Sequence, residues 1–231
     1  MKVLIAWSSG KDSAWCLYVL QQGVMGRAEI VGLLTTVNEV YARVSMHAVR
    51  VELLKAQAQA VGLPLWTVPL PYPCSNEEYQ DLMGQAVVGA REQGIEAIAF
   101  GDLYLEDVRS YREKMMRGTG IKPLFPLWRM PTYLLARDMI DHGVKARLTC
   151  VDPQALHAHF IGREFDRSFL DELPSGVDPC GEKGEFHTFA YDGPMFRTPV
   201  FFRSGESVHR EGLIFIDLIP ELPEHTVGEQ G

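Results

Sequence analysis

Apolar and polar positions along this chain fall into alternating blocks. Lys2-Val-Leu-Ile-Ala-Trp7 is a continuous apolar run. The small polar stretch Ser8-Ser9-Gly10-Lys11-Asp12-Ser13 follows, and then apolar residues at helical spacing from Ala14 to Leu20. This order predicts a buried strand, a turn and a helix. Glu29 to Thr36 predicts a second strand and Val37 to Ser45 a loop. Val49, Leu53, Ala56 and Ala60 predict a helix over Met46 to Val61, stopped by Gly62-Leu63-Pro64. Leu65 to Leu70 is a third strand, Glu77 to Gln93 a helix capped by Ser75 or Asn76, and Glu96 to Phe100 a short fourth strand. Such alternation predicts an α/β fold, a doubly wound and mostly parallel sheet covered by helices on both faces.

Beyond Ile121 the pattern is less regular, and the last fifty residues differ in period. The segment Ile121 to Trp128 is proline-rich, a helix is expected from Pro131 or Thr132 to Asp141, a strand over Lys145 to Val151, and mainly helix over Pro153 to Leu173. After the irregular stretch Pro174 to Gly184, short strands are expected at Phe186 to Tyr191, Met195 to Phe202 and His209 to Leu218. Turns at Asp192-Gly193-Pro194 and Ser204-Gly205-Glu206 would join them. These segments predict a smaller C-terminal α+β domain over 130–219 after a main domain over 1–129, with 220–231 as a flexible tail.

The loop after the first strand carries the first chemical signal. A helix beginning near Asp12 presents unpaired amides and the positive end of its dipole, which favour an anion. Ser8, Ser9 and Ser13 add hydroxyl donors, Gly10 permits close approach, and Lys11 brings a point charge. The glycine spacing of a Walker A loop is absent. Asp12 suits either a helix cap or a Mg²⁺ ligand facing a phosphate. Thr35 lies at the polar end of the second strand, at the edge where an open parallel sheet binds ligands.

Two further stretches concentrate polar groups. Gly101-Asp102-Leu103-Tyr104-Leu105-Glu106-Asp107-Val108-Arg109 follows the fourth strand, and Glu106 and Arg109 share a helix face. The group suits Mg²⁺, a basic substrate group or a carboxylate; a capped helix with a surface ion pair is the plainer alternative. Asp178-Pro-Cys180-Gly181-Glu182-Lys183-Gly184-Glu185-Phe186-His187-Thr188 is the densest polar stretch. Cys180 and His187 lack the second ligand pair that a zinc site needs, whereas Glu182, Glu185 and His187 suit orienting an amine and taking its proton. A charged loop entering an edge strand is the alternative. His47 and Arg50, one turn apart, face either the sheet's ligand edge or solvent. His157 and His159, two apart on the expected helix, cannot share a face.

A net charge of −8 argues against a general nucleic-acid surface. Cys16, Cys74, Cys150 and Cys180 are scattered without a CxxC pair, so neither a disulfide scaffold nor a thiol sulfur relay is expected. Met1 to Trp7 has no basic lead, and no apolar run reaches membrane-spanning length, which makes the cytoplasm the expected compartment.

Ser8 to Ser13 resembles the SGGxDS loop of the N-type ATP pyrophosphatases, with Ser9 where those proteins usually have the first Gly. If that position needs positive φ, Ser9 is strained by about 1 kcal/mol; at negative φ nothing is lost. Together with Gly101 to Arg109, Phe125-Pro-Leu-Trp128 with Pro131-Thr132, and Gly181 to Thr188, the loop resembles the diphthine-ammonia ligase family over nearly the whole chain. Phe186-His187-Thr188 looks like that family's short bacterial branch. The resemblance implies ATP and Mg²⁺ as cofactors, with Ser8, Ser9, Gly10, Lys11, Asp12, Ser13, Thr35, His47 and Gly101 around ATP. Asp12 and Asp102 would hold the metal, and Lys11, Asp102, Glu182, Glu185 and His187 would serve catalysis. Tyr104, Glu106, Arg109, Cys180, Gly181, Gly184 and Thr188 would face the substrate. The implied reaction adenylates a carboxylate, on a small molecule or a modified protein side chain, for attack by ammonia or an amine. Elongation factor 2 would be the partner if the source makes diphthamide, and a homodimer is compatible with the pattern. The rivals are a nucleotide-responsive binding protein without turnover and a tRNA-modifying enzyme that works by adenylation.

Overall fold

The computed structural model describes residues 1–44 and 49–221. The first sheet is built from β1 (Lys2–Ala6), β2 (Glu29–Asn38), the two-residue β3 (Arg43–Val44), β4 (Leu65–Leu70), β5 (Ala97–Ala99) and β6 (Lys122–Leu124). Its parallel strands run in the order β4-β2-β1-β5-β6, while β3 pairs antiparallel with the far end of β2. The connecting helices are α1 (Lys11–Gln21), α2 (Val51–Val61), α3 (Asn76–Glu92) and α4 (Glu106–Met116).

Alternation along the strands sets the layers. Val3 and Ile5 of β1 and Ala97 and Ala99 of β5 face the core shared with α1 and α2. Leu4 and Ile98 face the core shared with Met83 and Val87 of α3 and Met116 of α4. The chain leaves β1 toward β2 and β4, then returns to add β5 and β6 on the other side. This reversal makes the crevice beyond the C-terminal ends of β1 and β5 the topological switch point. Ser75 caps α3 in a reciprocal capping box with Glu78.

The remaining elements are α5 (Thr132–Asp141), β7 (Lys145–Val151), α6 (Arg167–Glu172), β8 (Phe186–Asp192), β9 (Phe202–Arg210) and β10 (Leu213–Pro220), with a single 3-10 turn at Ala158–Phe160. They form a second, antiparallel sheet in the order β8-β7-β10-β9. Its inner residues Ala146, Leu148, Phe186 and Phe189 join the α1 and α2 core, so one apolar core runs through both sheets.

Four expectations are corrected. The second helix begins at Val51, not near Met46: Arg50 is extended, bridges Arg43, and bonds with it to Asp217 of β10. Lys122–Leu124 is a strand in spite of Pro123, because it lies at the sheet edge where the missing N–H costs little. Residues 153–173 are mostly irregular. Leu156, Phe160, Phe165 and Phe169 mimic helical spacing, but the backbone runs along β7, with Phe165 N donating to the Ala146 carbonyl and Leu148 N to that of Arg163. Consequently His157 and His159 are not on an α-helix, and their Nδ1 atoms stand 2.8 Å apart. Finally, residues 195–201 form no strand, and Ser204-Gly205-Glu206 lies inside β9 opposite the irregularity between Ile216 and Leu218. The hairpin turn is Glu211-Gly212, both at positive φ.

Candidate functional site

A cleft of about 850 Å³ opens at the switch point. Its floor is the end of β1 with Ser8, Lys11, Asp12 and Ser13; Thr35 and Thr36 of β2 and Gly101 and Asp102 after β5 flank it. Asn76, Tyr79, Gln80 and Met83 of α3 and Tyr111, Arg112 and Met116 of α4 form one wall. Cys180, Gly181 and Glu182 of the loop before β8, with Phe186, His187 and Thr188 of β8, close it from the other side. The three polar stretches of the sequence thus meet in one place.

The loop after β1 is braced from both sheets. Ser8 Oγ donates to Ser13 Oγ at 3.2 Å, Ser13 Oγ to the Gly10 carbonyl at 2.9 Å, and Gly10 N to Ser8 Oγ at 3.4 Å. Ser9 is fully buried at φ 70°, the strained alternative, and its Oγ has no partner. The Ser9 carbonyl accepts from Ala190 N of β8 and from Gln57 Nε2. Gln57, at 0% exposure, also donates to the Ala190 carbonyl and accepts from Trp7 Nε1, riveting loop, α2 and second sheet together. Thr35 Oγ1 donates to the Trp7 carbonyl at 2.7 Å. Gly101 permits a close approach: a Cβ there would meet the Asp12 carbonyl at 2.9 Å.

Lys11 borders the cleft, but its ammonium is occupied. Only 2% exposed, it donates to the Asp12 carboxylate at 2.9 and 3.1 Å and to the Cys180 carbonyl, and lies over the rings of Phe165 and Phe186. Burial opposes its charge, yet Asp12, Cys180 and Glu182 hold its pKa above the ordinary lysine value. Its amide donates to Thr188 Oγ1 at 3.1 Å. Both ends of Lys11 therefore tie the loop to the 180–188 segment.

That segment holds itself in shape. Glu185, 6% exposed, accepts from the amides of Asp178 and Lys183, a structural set of partners rather than an open carboxylate. Asp178 accepts from Thr132 Oγ1, Tyr104 Oη and Cys180 N. Gly181 and Gly184 sit at positive φ, and at Gly181 a Cβ would meet the Phe186 carbonyl at 2.8 Å. Glu182 reaches across the cleft, where its Oε1 accepts from Leu103 N at 2.8 Å and Tyr104 N at 3.3 Å. Burial pushes its pKa up to about 7; the Leu103 amide bond opposes this and the neighbouring Asp12 adds to it. His187 also borders the cleft.

Asp102 and Arg112 are the unfinished pair. Arg112 Nε is 3.6 Å from Asp102 Oδ2, beyond hydrogen-bond range, and both atoms are buried without a partner. Burial raises the Asp102 pKa, Arg112 opposes that rise, and Asp12 adds to it. Buried polar atoms left open at a cleft are what a missing ligand or cation would satisfy, so the donor set fits Mg²⁺ and phosphate. Asp12 and Asp102 carry oxygen atoms of the hard kind that Mg²⁺ takes; among the described residues no three His, Cys, Asp or Glu side chains form a ready-made cage.

Glu106 and Arg109 do not meet. Glu106 pairs with Arg129, and Arg109 pairs with Glu113 while stacking on Phe125 and Trp128; neither borders the cleft. Nor do Tyr104, Gly184 and Glu185, which shape its wall from behind. His47 lies outside the described residues. Sequence reasoning missed Gln57 and Arg112, although each left a signal. Gln57 is polar on the Leu53, Leu54, Ala58 and Val61 stripe, and Arg112 is charged one turn before Met116.

A doubly wound sheet with a polar loop at its switch point, closed by a second sheet, is the architecture of the ATP pyrophosphatase class of α/β proteins. The family model described as "Diphthamide synthase N-terminal domain" matches residues 1–123, and "Diphthamide synthase C-terminal domain" matches 131–219. The diphthine–ammonia ligases of Bos taurus and Homo sapiens are 28% and 27% identical over 235 residues, spanning 90% of this chain and 85% of each relative. That of Schizosaccharomyces pombe is 28% identical over 123 residues, 51% of this chain and 20% of its own length. The chain belongs to the diphthamide synthase family, which includes the diphthine–ammonia ligases.

Proposed function

We propose that the chain is an ATP-dependent ligase that adenylates a carboxylate and passes it to ammonia or an amine, releasing AMP and pyrophosphate. The observation that carries this reading is the single cleft in which the loop after β1, the Asp102 and Arg112 pair and Glu182 converge. ATP, when bound, supplies the adenylyl group that activates the acceptor. Asp12 and Asp102 would hold Mg²⁺, and Ser8, Ser13, Thr35 and Gly101 border the space for the nucleotide.

Glu182 suits the amine half of the reaction. With a pKa pushed up to about 7 it exchanges a proton near neutrality, as a general base for an attacking amine must. Its Oε1 is fixed by the Leu103 and Tyr104 amides, which aims the carboxyl without protonating it. The Gly181 to Thr188 segment, pinned by Lys11 and Asp178, walls the cleft from one side.

The name carried by the relatives makes diphthine the first acceptor to test; a small carboxylate is the other. Incubation with ATP labelled in the α-phosphate, Mg²⁺, ammonium and a cell-extract pool is expected to give extract-dependent AMP and pyrophosphate. Tight ATP binding with no AMP from any pool would instead identify a nucleotide-responsive binding protein.

A further inference from the structure

We infer that Arg112, not the loop lysine, is the cation that receives the phosphates of the nucleotide in the cleft. The inference rests on the ATP-dependent reading above and names the residue that serves it. Among the described residues, two lysine or arginine side chains border the cleft, Lys11 and Arg112. The Lys11 ammonium already has both oxygens of Asp12 and the carbonyl of Cys180, with two aromatic rings over it. An ammonium offers three donors, and these partners use them.

Arg112 is placed differently. It projects from the middle of α4 beside Tyr111 and Met116, which border the same cleft, with its guanidinium 4.9 Å above the ring of Phe100. Its Nε makes no hydrogen bond, and the facing Asp102 Oδ2 makes none either. A charge-assisted ion pair usually closes to about 2.8 Å. This one stands at 3.6 Å, with both atoms left without a hydrogen bond. Phe100 thus stacks against the guanidinium, and Asp102 faces its Nε without a hydrogen bond at that atom.

Its position ties it to the phosphate loop. Asp102 follows Gly101, and Gly101 lies so close to the first turn of α1 that a Cβ would come within 2.9 Å of Asp12 and 3.1 Å of Ser13. Arg112 is therefore one carboxylate away from the loop. A guanidinium fork binds two phosphate oxygens at once, which a lysine ammonium cannot do. An acceptor carboxylate shares this oxyanion chemistry, but nearness to the loop after β1 favours the phosphates.

The test is calorimetric titration of the full chain and its R112Q and R112K variants with ATP, with inorganic pyrophosphate and with adenosine. R112Q is expected to weaken ATP and pyrophosphate binding at least tenfold while adenosine binding stays within twofold. R112K, which keeps the charge beside Asp102 and Phe100, is expected to weaken ATP at least fivefold, and it carries the test if R112Q does not fold. Wild-type affinity for ATP and pyrophosphate in a folded variant would overturn the inference and leave the ligase reading intact. Unchanged ATP binding with a raised KM for the acceptor carboxylate would also overturn it, moving Arg112 to the acceptor. Failure of the parent chain to bind ATP or pyrophosphate would overturn both.

Discussion

Replacing Lys11 by methionine separates a structural clamp from a phosphate contact. The substitution keeps an unbranched apolar stem and removes an ammonium that donates to Asp12 and to the Cys180 carbonyl. Removing one partner of a buried ion pair costs about 3–5 kcal/mol. Asp12 is 28% exposed, so water recovers part of its loss and the lower end, about 3 kcal/mol, applies. The thioether against Phe165 and Phe186 returns about 0.3–1.5 kcal/mol. A net loss of about 1.5–2.7 kcal/mol corresponds to a melting point lower by about 3–11 °C in a chain of this size. Thermal unfolding followed by circular dichroism, beside ATP titration below the transition, reads both effects. The geometry predicts the drop in stability together with less than a tenfold loss of ATP affinity. A variant that melts within about 2 °C of the parent yet loses ATP binding more than tenfold would put the ammonium on the phosphates and refute the clamp.

Other outcomes follow from single atoms. Gly101→Ala drives a methyl group into the Asp12 backbone and is expected to destabilise by about 1–3 kcal/mol and to weaken ATP binding, read by urea unfolding and calorimetry. Ser9→Gly relieves a positive φ and removes a buried hydroxyl without a partner, and is expected to raise stability by about 1 kcal/mol in the same unfolding assay; a loss would show that Oγ has a partner in solution. Glu182 and Asp102 both have raised pKa values. Below pH 4.5 the Glu182 carboxyl is protonated folded and unfolded, whereas from 4.5 to about 7 only the unfolded chain releases the proton, so stability falls across that window. Glu182→Gln, which can still accept from Leu103 and Tyr104, is expected to flatten the fall in melts recorded at a series of pH values; an unchanged slope would remove Glu182 as its source.

What was legible in the chain was what neighbouring residues decide. The runs Lys2 to Trp7 and Leu65 to Leu70, the capped helix after Ser75 and the Ser8 to Ser13 turn are local patterns, and the first sheet and its ligand edge followed from them. The meeting of Gly101-Asp102 with the loop was legible too, since both end strands adjoining the switch point. What failed was decided at long range. Leu156, Phe160, Phe165 and Phe169 keep near-helical spacing, but from Gly162 to Phe165 the backbone bonds go to β7, and periodicity does not report a partner strand. Ser204-Gly205-Glu206 carries turn residues, yet it lies in β9 against β10, where Gly205 leaves room for Asp217 and the Ile219 side chain. Lys11 and Glu185 were read from residue type as catalytic candidates, and their surroundings were not legible. Their partners, Cys180 for the lysine and the Asp178 amide for the glutamate, come into reach only once the second sheet has docked or the loop has closed.

The central claim is that the acceptor is activated by adenylation, and pyrophosphate exchange tests it most directly. With ATP, Mg²⁺, labelled pyrophosphate and the extract fraction that supports AMP formation, but without ammonium, the label is expected to enter ATP at a rate that depends on the fraction. Release of ADP and phosphate, or AMP formation without any exchange of label, would contradict reversible adenylation as the step this cleft performs.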